Sequence, residues 1–271
     1  MTQELASTDE SVLISHQDGI AILTLNRGRA LNALSEDMID ALISHLTTIS
    51  HATEIKAVIL RSNSPHFCAG HNLKEMTARR QDEDGGHAYF KALFARCSQL
   101  MKLIVTLPQP VIAEVTGIAT AAGCQLVAAC DLAVASNEAK FATSGVNIGL
   151  FCSTPMVALS RNLSRKQSME MLLLGEFISA SRVCEMGLIN RVVSVDEVES
   201  EALAMARLIA QKSSAAVKIG KASFYQQLEM PLSEAYEFAG NVMATNMMYQ
   251  DAKAGIGAFV TKQPMPEWTG E

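Results

Sequence analysis

The chain holds 271 residues, 49% hydrophobic and 18% charged, enough to bury a sizeable core as one large domain or two small ones; it is neither disordered nor fibrous. Lysine and arginine number 22 against 28 aspartates and glutamates, a net charge of −6 that speaks against non-specific nucleic-acid binding. Aromatics at 5% with a single tryptophan disfavour a base-stacking platform.

The first residues, Met1 to Glu10, are polar and acidic, without the basic start and apolar stretch of a signal peptide or the arginine-rich amphipathicity of a transit peptide. Val12, Ile14 and His16 alternate with other residues, Asp18-Gly19 offers a turn, and Ile20, Ile22 and Thr24 alternate again, which predicts a β-hairpin closed by Asn26-Arg27-Gly28. Ser35 is an N-cap for a helix whose first turn carries Glu36 and Asp37 and whose apolar stripe is Met38, Leu42, Leu46 and Ile49. Ala57-Val58-Ile59-Leu60 reads as a strand covered on both faces. A long loop, Ser62 to His71, then opens into a helix, and a second stripe runs from Phe90 through Phe94 and Cys97 to Ile104 until Pro108 and Pro110 stop it.

Val111–Val115 is a further strand, Gly117 a turn, Ala121–Ala129 a helix of small residues, and Leu132–Ala135 a returning strand. The uncharged run Val115–Cys130 holds 16 residues, including Thr116, Thr120 and Gln125, and is too short and too polar for a membrane anchor. From Pro155 the pattern is helical: Met156–Leu163, Arg165–Leu174, Ser179–Met186, Asp196–Lys212 and two more, interrupted by Arg191-Val192-Val193. The expected organisation is a core over residues 1–197 followed by a helical region over 198–271, in one continuous domain. Six cysteines form no CxxC pair and no His or Cys pair stands at ligand spacing, which predicts reduced thiols in a cytoplasmic protein without a metal site.

Two segments, Phe67 to Met76 and Gly117 to Gln125, each follow a strand, contain glycine and open a helix. Such turns expose backbone N–H groups that can hold an anion or a developing oxyanion. Close helix–strand packing explains small residues at either segment taken alone.

In their order and spacing these segments resemble the crotonase (enoyl-CoA hydratase/isomerase) superfamily over nearly the whole chain. The similarity rests on Leu25-Asn26-Arg27, Asn32-Ala33-Leu34, Phe67 to Glu75, Gly117 to Asp131, Gly149 with Pro155, Ser179-Ala180, Gly187-Leu188-Ile189 and Ala258-Phe259-Val260. It implies an α/β (α+β) fold, a spiral of ββα units with a helical C-terminal trimerisation region, assembled as a homotrimer or as a hexamer built from two trimers. It also implies an acyl-CoA ligand, with coenzyme A part of the substrate and no separate cofactor, and no membrane or nucleic-acid partner. The oxyanion hole falls on the backbone N–H groups of His71 and Ala122. Arg27, Ala30, Leu31, Ala69, His71, Asn72, Leu73 and Lys74 fall along the pantetheine and adenine, and Phe259 and Lys262 match a C-terminal pair that reaches the nucleotide, often of a neighbouring subunit.

The family's hydratases use two glutamates, and this chain has Gln125 and Gly145 at those positions. Gln125 can bond a water but cannot take its proton, and Gly145 can do neither, so standard hydration is unsupported. Ser153 takes the place of an aspartate that serves related isomerases, and Cys152 lies beside it on the segment lining the acyl pocket. Three readings follow: a weak or diverged hydratase/isomerase-type lyase, a non-catalytic acyl-CoA-binding or regulatory protein, and a thioesterase using Cys152 or Ser153. Glu114 and Asp131 read as structural groups, and the His71 ring as a satisfied loop side chain or a base.

Overall fold

The computed structural model describes residues 10–271; the acidic start expected over the first nine lies outside them. Strands β1 (Val12–Gln17) and β2 (Ile20–Leu25) form the expected antiparallel hairpin. Asp18 and Gly19 both take positive φ between them, the turn geometry whose twist matches two right-twisted strands. Ser35 accepts a bond from the Met38 N–H at 3.2 Å and opens α1 (Glu36–His51). Next come β3 (Ala57–Ser62), α2 (Leu73–Ala78), α3 (His87–Thr106), β4 (Val111–Val115), β5 (Ile118–Thr120), α4 (Ala122–Ala129), β6 (Leu132–Ser136) and β7 (Lys140–Ala142). Then follow α5 (Pro155–Asn162), α6 (Arg165–Leu174), β8 (Ile178–Ser179), α7 (Ala180–Met186), β9 (Arg191–Val193), α8 (Val198–Ala210), α9 (Ser214–Gln227), α10 (Leu232–Met247) and α11 (Gln250–Val260). Three helices, not the expected two, follow α8, because the apolar residues near the C-terminus are divided by turns at Pro231 and Tyr249.

The large sheet runs β1-β2-β3-β4-β6-β9, parallel throughout except for the hairpin. Its inner strands β2, β3, β4 and β6 are largely apolar on both faces because both are covered. Ala21, Leu23, Val58 and Leu60 face a core with α1, α3 and α4; Ile20, Ile22, Ile59, Ile112 and Val134 face Val198, Ala202, Met205 and Ala206 of α8. Helix α8 therefore closes the second face of the sheet, while α9, α10 and α11 pack on one another. Asp131 has the structural role expected of it: it accepts the Val111 N–H at 2.7 Å, Lys221 Nζ at 2.6 Å and the Tyr225 hydroxyl at 3.0 Å, tying α9 to the sheet.

A second layer positions the site. It consists of β5, β7 and β8, extended by parallel bridges between Cys68 and Ala119 and between Leu34 and His71. Each turn of the chain thus adds one strand to the large sheet and a short extended piece to the second layer before a helix returns. Among the described residues no helix is long and apolar enough to cross a membrane. The uncharged stretch from 141 to 160, longer than Val115–Cys130, is spent on β7, a 3₁₀ turn at Ser144–Ile148 and the start of α5.

Candidate active site

The loop after β3 is built on Asn32, a fully buried amide at φ 50, a backbone state asparagine tolerates better than most residues. Its Nδ2 donates to Ser62 Oγ at 2.7 Å, to Ser64 Oγ at 3.1 Å and to the His66 carbonyl at 3.1 Å, and its Oδ1 accepts the Arg27 N–H at 2.8 Å. The Ala69 N–H donates to the Leu31 carbonyl at 3.0 Å, so the turn carrying Arg27, Ala30 and Leu31 lies against the segment entering the site.

On either side of His71 the chain is pinned to Leu34: the Leu34 N–H donates to the Gly70 carbonyl at 2.7 Å and the Asn72 N–H to the Leu34 carbonyl at 3.3 Å. Parallel-strand alternation turns the intervening His71 N–H away from Leu34, and among the described residues it meets no acceptor. The Ala122 amide is equally unpaired, at the N-terminus of α4, where Ala121 is held at φ 52 by its own N–H bond to Ala142 at 2.9 Å. The two segments come together because glycine lets them touch. A β-carbon on Gly70, itself at φ 93, would lie 2.9 Å from Ala121 Cβ and 3.3 Å from Ala122 N, and one on Gly123 would lie 2.2 Å from the Cys68 carbonyl oxygen.

His71 and Ala122 both border a cavity of about 380 Å³ lined by Ala69, Leu73, Met76, Phe94, Gly145, Cys152 and Ser153 among others. Hollows of about 470 and 560 Å³ elsewhere on the surface are larger, but His71 and Ala122 line neither. Seven of the expected site residues thus share one cavity: Ala69, His71, Leu73, Ala122, Gly145, Cys152 and Ser153. Asn72 works on the backbone, with Oδ1 accepting the Lys74 N–H at 3.1 Å and the Glu75 N–H at 3.5 Å to cap α2, and Lys74 is exposed beside it. Gln125 is buried on α4 with Oε1 unpartnered and is not part of the cavity wall. Phe259, 75% exposed on α11, and Lys262, just beyond that helix, do not line it either.

Gly145 and Cys152 form one contact. A β-carbon on Gly145 would sit 2.3 Å from the Leu150 carbonyl oxygen and 2.9 Å from Cys152 Sγ. Burial pushes the Cys152 thiol pKa up and the Gly145 N–H offsets only part of this, so the sulfur stays protonated. Among the described residues Ser153 Oγ bonds only to the Phe151 carbonyl, at 3.4 Å. The His71 ring packs edge-on to Phe94 with centroids 5.4 Å apart, and both its nitrogens are buried without a hydrogen-bond partner. Burial lowers its pKa, with the Leu34 carbonyl opposing weakly, so the imidazole is neutral at pH 7; it is not the satisfied loop histidine the sequence suggests. Met76 and Phe94 belong to the cavity although sequence reading does not single them out for it, since apolar residues at helical spacing look alike whether they face a core or a cavity.

The family model described as enoyl-CoA hydratase/isomerase matches residues 15–271. Enoyl-CoA hydratase domain-containing protein 3, mitochondrial, of Rattus norvegicus is 45% identical over 253 residues, 93% of this chain and 82% of that protein. The crystal structure of the human protein of that name superposes with a TM-score of 0.90 at 42% identity, covering 94% of this chain and 99% of the other. A crystal structure described as an enoyl-CoA hydratase of Mycobacterium smegmatis gives a TM-score of 0.90 at 48% identity, covering 95% and 98%.

Proposed function

The chain belongs to the enoyl-CoA hydratase/isomerase family, and we propose that it binds an acyl-CoA thioester with the carbonyl oxygen between the amides of His71 and Ala122. The observation carrying this reading is the pair of unbonded N–H groups, from segments far apart in sequence, on two residues that line one apolar cavity. Removing an α-proton from a thioester, or adding to its conjugated double bond, moves negative charge onto that oxygen. Each preset donor contributes roughly 3–4 kcal/mol to stabilising it. The turn at Arg27, Ala30 and Leu31 and the exposed Lys74 suit the pantetheine and phosphates, with Phe259 and Lys262 reaching the nucleotide from a neighbouring copy in a trimer or hexamer.

The reaction is a weak hydratase/isomerase-type one. An acid–base group contributes a factor of roughly 10²–10⁴, and Gln125 and Gly145 supply none. No aspartate or glutamate among the described residues lines the cavity. A second reading, acyl-CoA binding without turnover, is favoured by the closed space at Gly145. The thioesterase reading has little chemical support, because the Cys152 thiol stays protonated and, among the described residues, Ser153 Oγ is hydrogen-bonded to no base. The free state of all six cysteines suits the reducing cytoplasm expected from the sequence, whereas the rat relative carries "mitochondrial" in its name.

Loss of the conjugated enoyl-thioester absorbance, followed over a panel of enoyl-CoAs for the wild type and for Ala122→Pro, tests the proposal, since proline at the first position of α4 removes the donor; thermal unfolding checks that the variant folds, because Ala121 before it sits at φ 52. Turnover that falls in the variant supports the enzymatic reading. Calorimetric binding without turnover leaves the second reading, and no binding to any acyl-CoA ends both.

A further inference from the structure

The cavity wall carries a hydroxyl whose direction is set from behind. Ser144 lines the cavity beside Gly145, and its Oγ lies 3.0 Å from Thr120 Oγ1. Thr120 is buried on β5, two residues before Ala122, and among the described residues its hydroxyl has no other partner. Distance alone lets either oxygen donate, but the surroundings choose. Were Ser144 the donor, the Thr120 proton would be stranded in the interior; with Thr120 as donor, Ser144 keeps its own proton for the cavity. The neighbouring Thr143 hydroxyl, fully buried and without a partner among the described residues, competes for neither. Ser144 therefore presents an O–H donor to the cavity, already oriented by Thr120.

Two features place this donor at the reacting end of the cavity. Its partner Thr120 ends the strand that leads directly into the Ala122 amide. The Leu150 N–H donates to the Gly145 carbonyl at 2.9 Å and folds residues 150–152 back over Gly145, one of the two positions where the family's hydratases carry a glutamate. Position 145 thus offers a ligand no side chain, and the hydroxyl preceding it in the chain is that of Ser144. We propose that Ser144 donates a hydrogen bond to an oxygen on the α- or β-carbon of the acyl group, so that hydroxyacyl and oxoacyl thioesters are preferred to plain acyl chains. This assignment rests on the acyl-CoA reading above and adds which acyl group is selected. An acyl oxygen buried against the apolar part of the wall loses its water without replacement, which costs affinity, whereas one opposite a preset donor gains it. Ser153 also lines the cavity, but its proton goes to the Phe151 carbonyl. Thr120 is a positioning residue that acts through Ser144.

The test is calorimetry with hexanoyl-CoA and its α-hydroxy, β-hydroxy, β-oxo and ω-hydroxy derivatives. The wild type is expected to bind an α- or β-oxygenated derivative about fivefold more tightly than hexanoyl-CoA, with no such preference for the ω-hydroxy compound. In Ser144→Ala, checked by thermal unfolding, the order reverses, because the acyl oxygen then enters the cavity without a donor. Thr120→Val keeps the Ser144 hydroxyl but not its partner, and narrows the preference without reversing it. A wild type that binds hexanoyl-CoA at least as tightly as every α- or β-oxygenated derivative overturns the assignment with no variant needed. So does an unchanged preference in a folded Ser144→Ala. A wild type that binds none of these thioesters overturns the acyl-CoA reading and this assignment with it.

Discussion

At Gly145 a β-carbon would lie 2.3 Å from a main-chain oxygen, a contact that side-chain rotation cannot relieve. Replacing Gln125 by glutamate changes one atom type, but Gly145→Glu must push the Leu150–Cys152 segment out of place. That substitution is expected to cost about 1–3 kcal/mol in thermal unfolding and to create no hydration of enoyl-CoA. A Gly145→Glu protein that hydrates enoyl-CoA with its melting temperature intact contradicts this packing. Glu114 provides a second test. It lies on β4 with Oε2 buried and unpartnered; burial is the main cause that pushes its pKa up from 4.5 to about 7, with Arg61 opposing and Glu199 adding to the rise. Between those two values the folded state holds a proton the unfolded chain has released, so this residue makes stability fall as pH rises and level off above pH 7. Glu114→Gln removes that slope and raises the unfolding free energy at mildly alkaline pH by up to roughly 3 kcal/mol in denaturant titrations. The neutral His71 acts in the opposite sense, losing stability as pH falls below its ordinary 6.5.

Among the elements, α2 depends most on its cap. None of its residues is buried, and the Asn72 side chain accepts two of its free N–H groups while Leu73 and Met76 line the cavity. Asn72→Ala removes about 1 kcal/mol from this helix and weakens acyl-CoA binding about fivefold, with little change in global melting. An unchanged affinity contradicts a binding role for α2. The capped start of α1, the hairpin turn and the doubly covered strands were all legible in sequence, because each has a local cause: Ser35 before acids, Asp18-Gly19, and continuous apolar runs. Strands β5, β7 and β8 were not legible. They have two or three residues each, too few for any periodicity, and exist because the second layer pairs them. The site shows the same division. The segments carrying His71 and Ala122 stand out in the sequence through small residues that match a family, while the clasp between Gly145 and Cys152 depends on how residues 150–152 fold back, which no spacing encodes.

For the whole molecule, the α9–α11 layer presents a large apolar surface: Leu232, Tyr236 and Phe259 are each 75% exposed and Val260 72%. Exposed apolar residues of this kind suit contact between copies, as the proposed trimer or hexamer requires. Sedimentation is expected to show a trimer or hexamer, and Leu232→Glu with Phe259→Glu to shift it toward monomer; a wild-type monomer at micromolar concentration removes the interface. The central claim concerns a single oxygen atom, and an acyl-CoA thioester can be compared with the thioether that lacks it. Calorimetry should give the wild type about a tenfold preference for the thioester, two amide hydrogen bonds' worth, and most of that preference should vanish in Ala122→Pro. Equal affinity of the wild type for thioester and thioether would contradict the account.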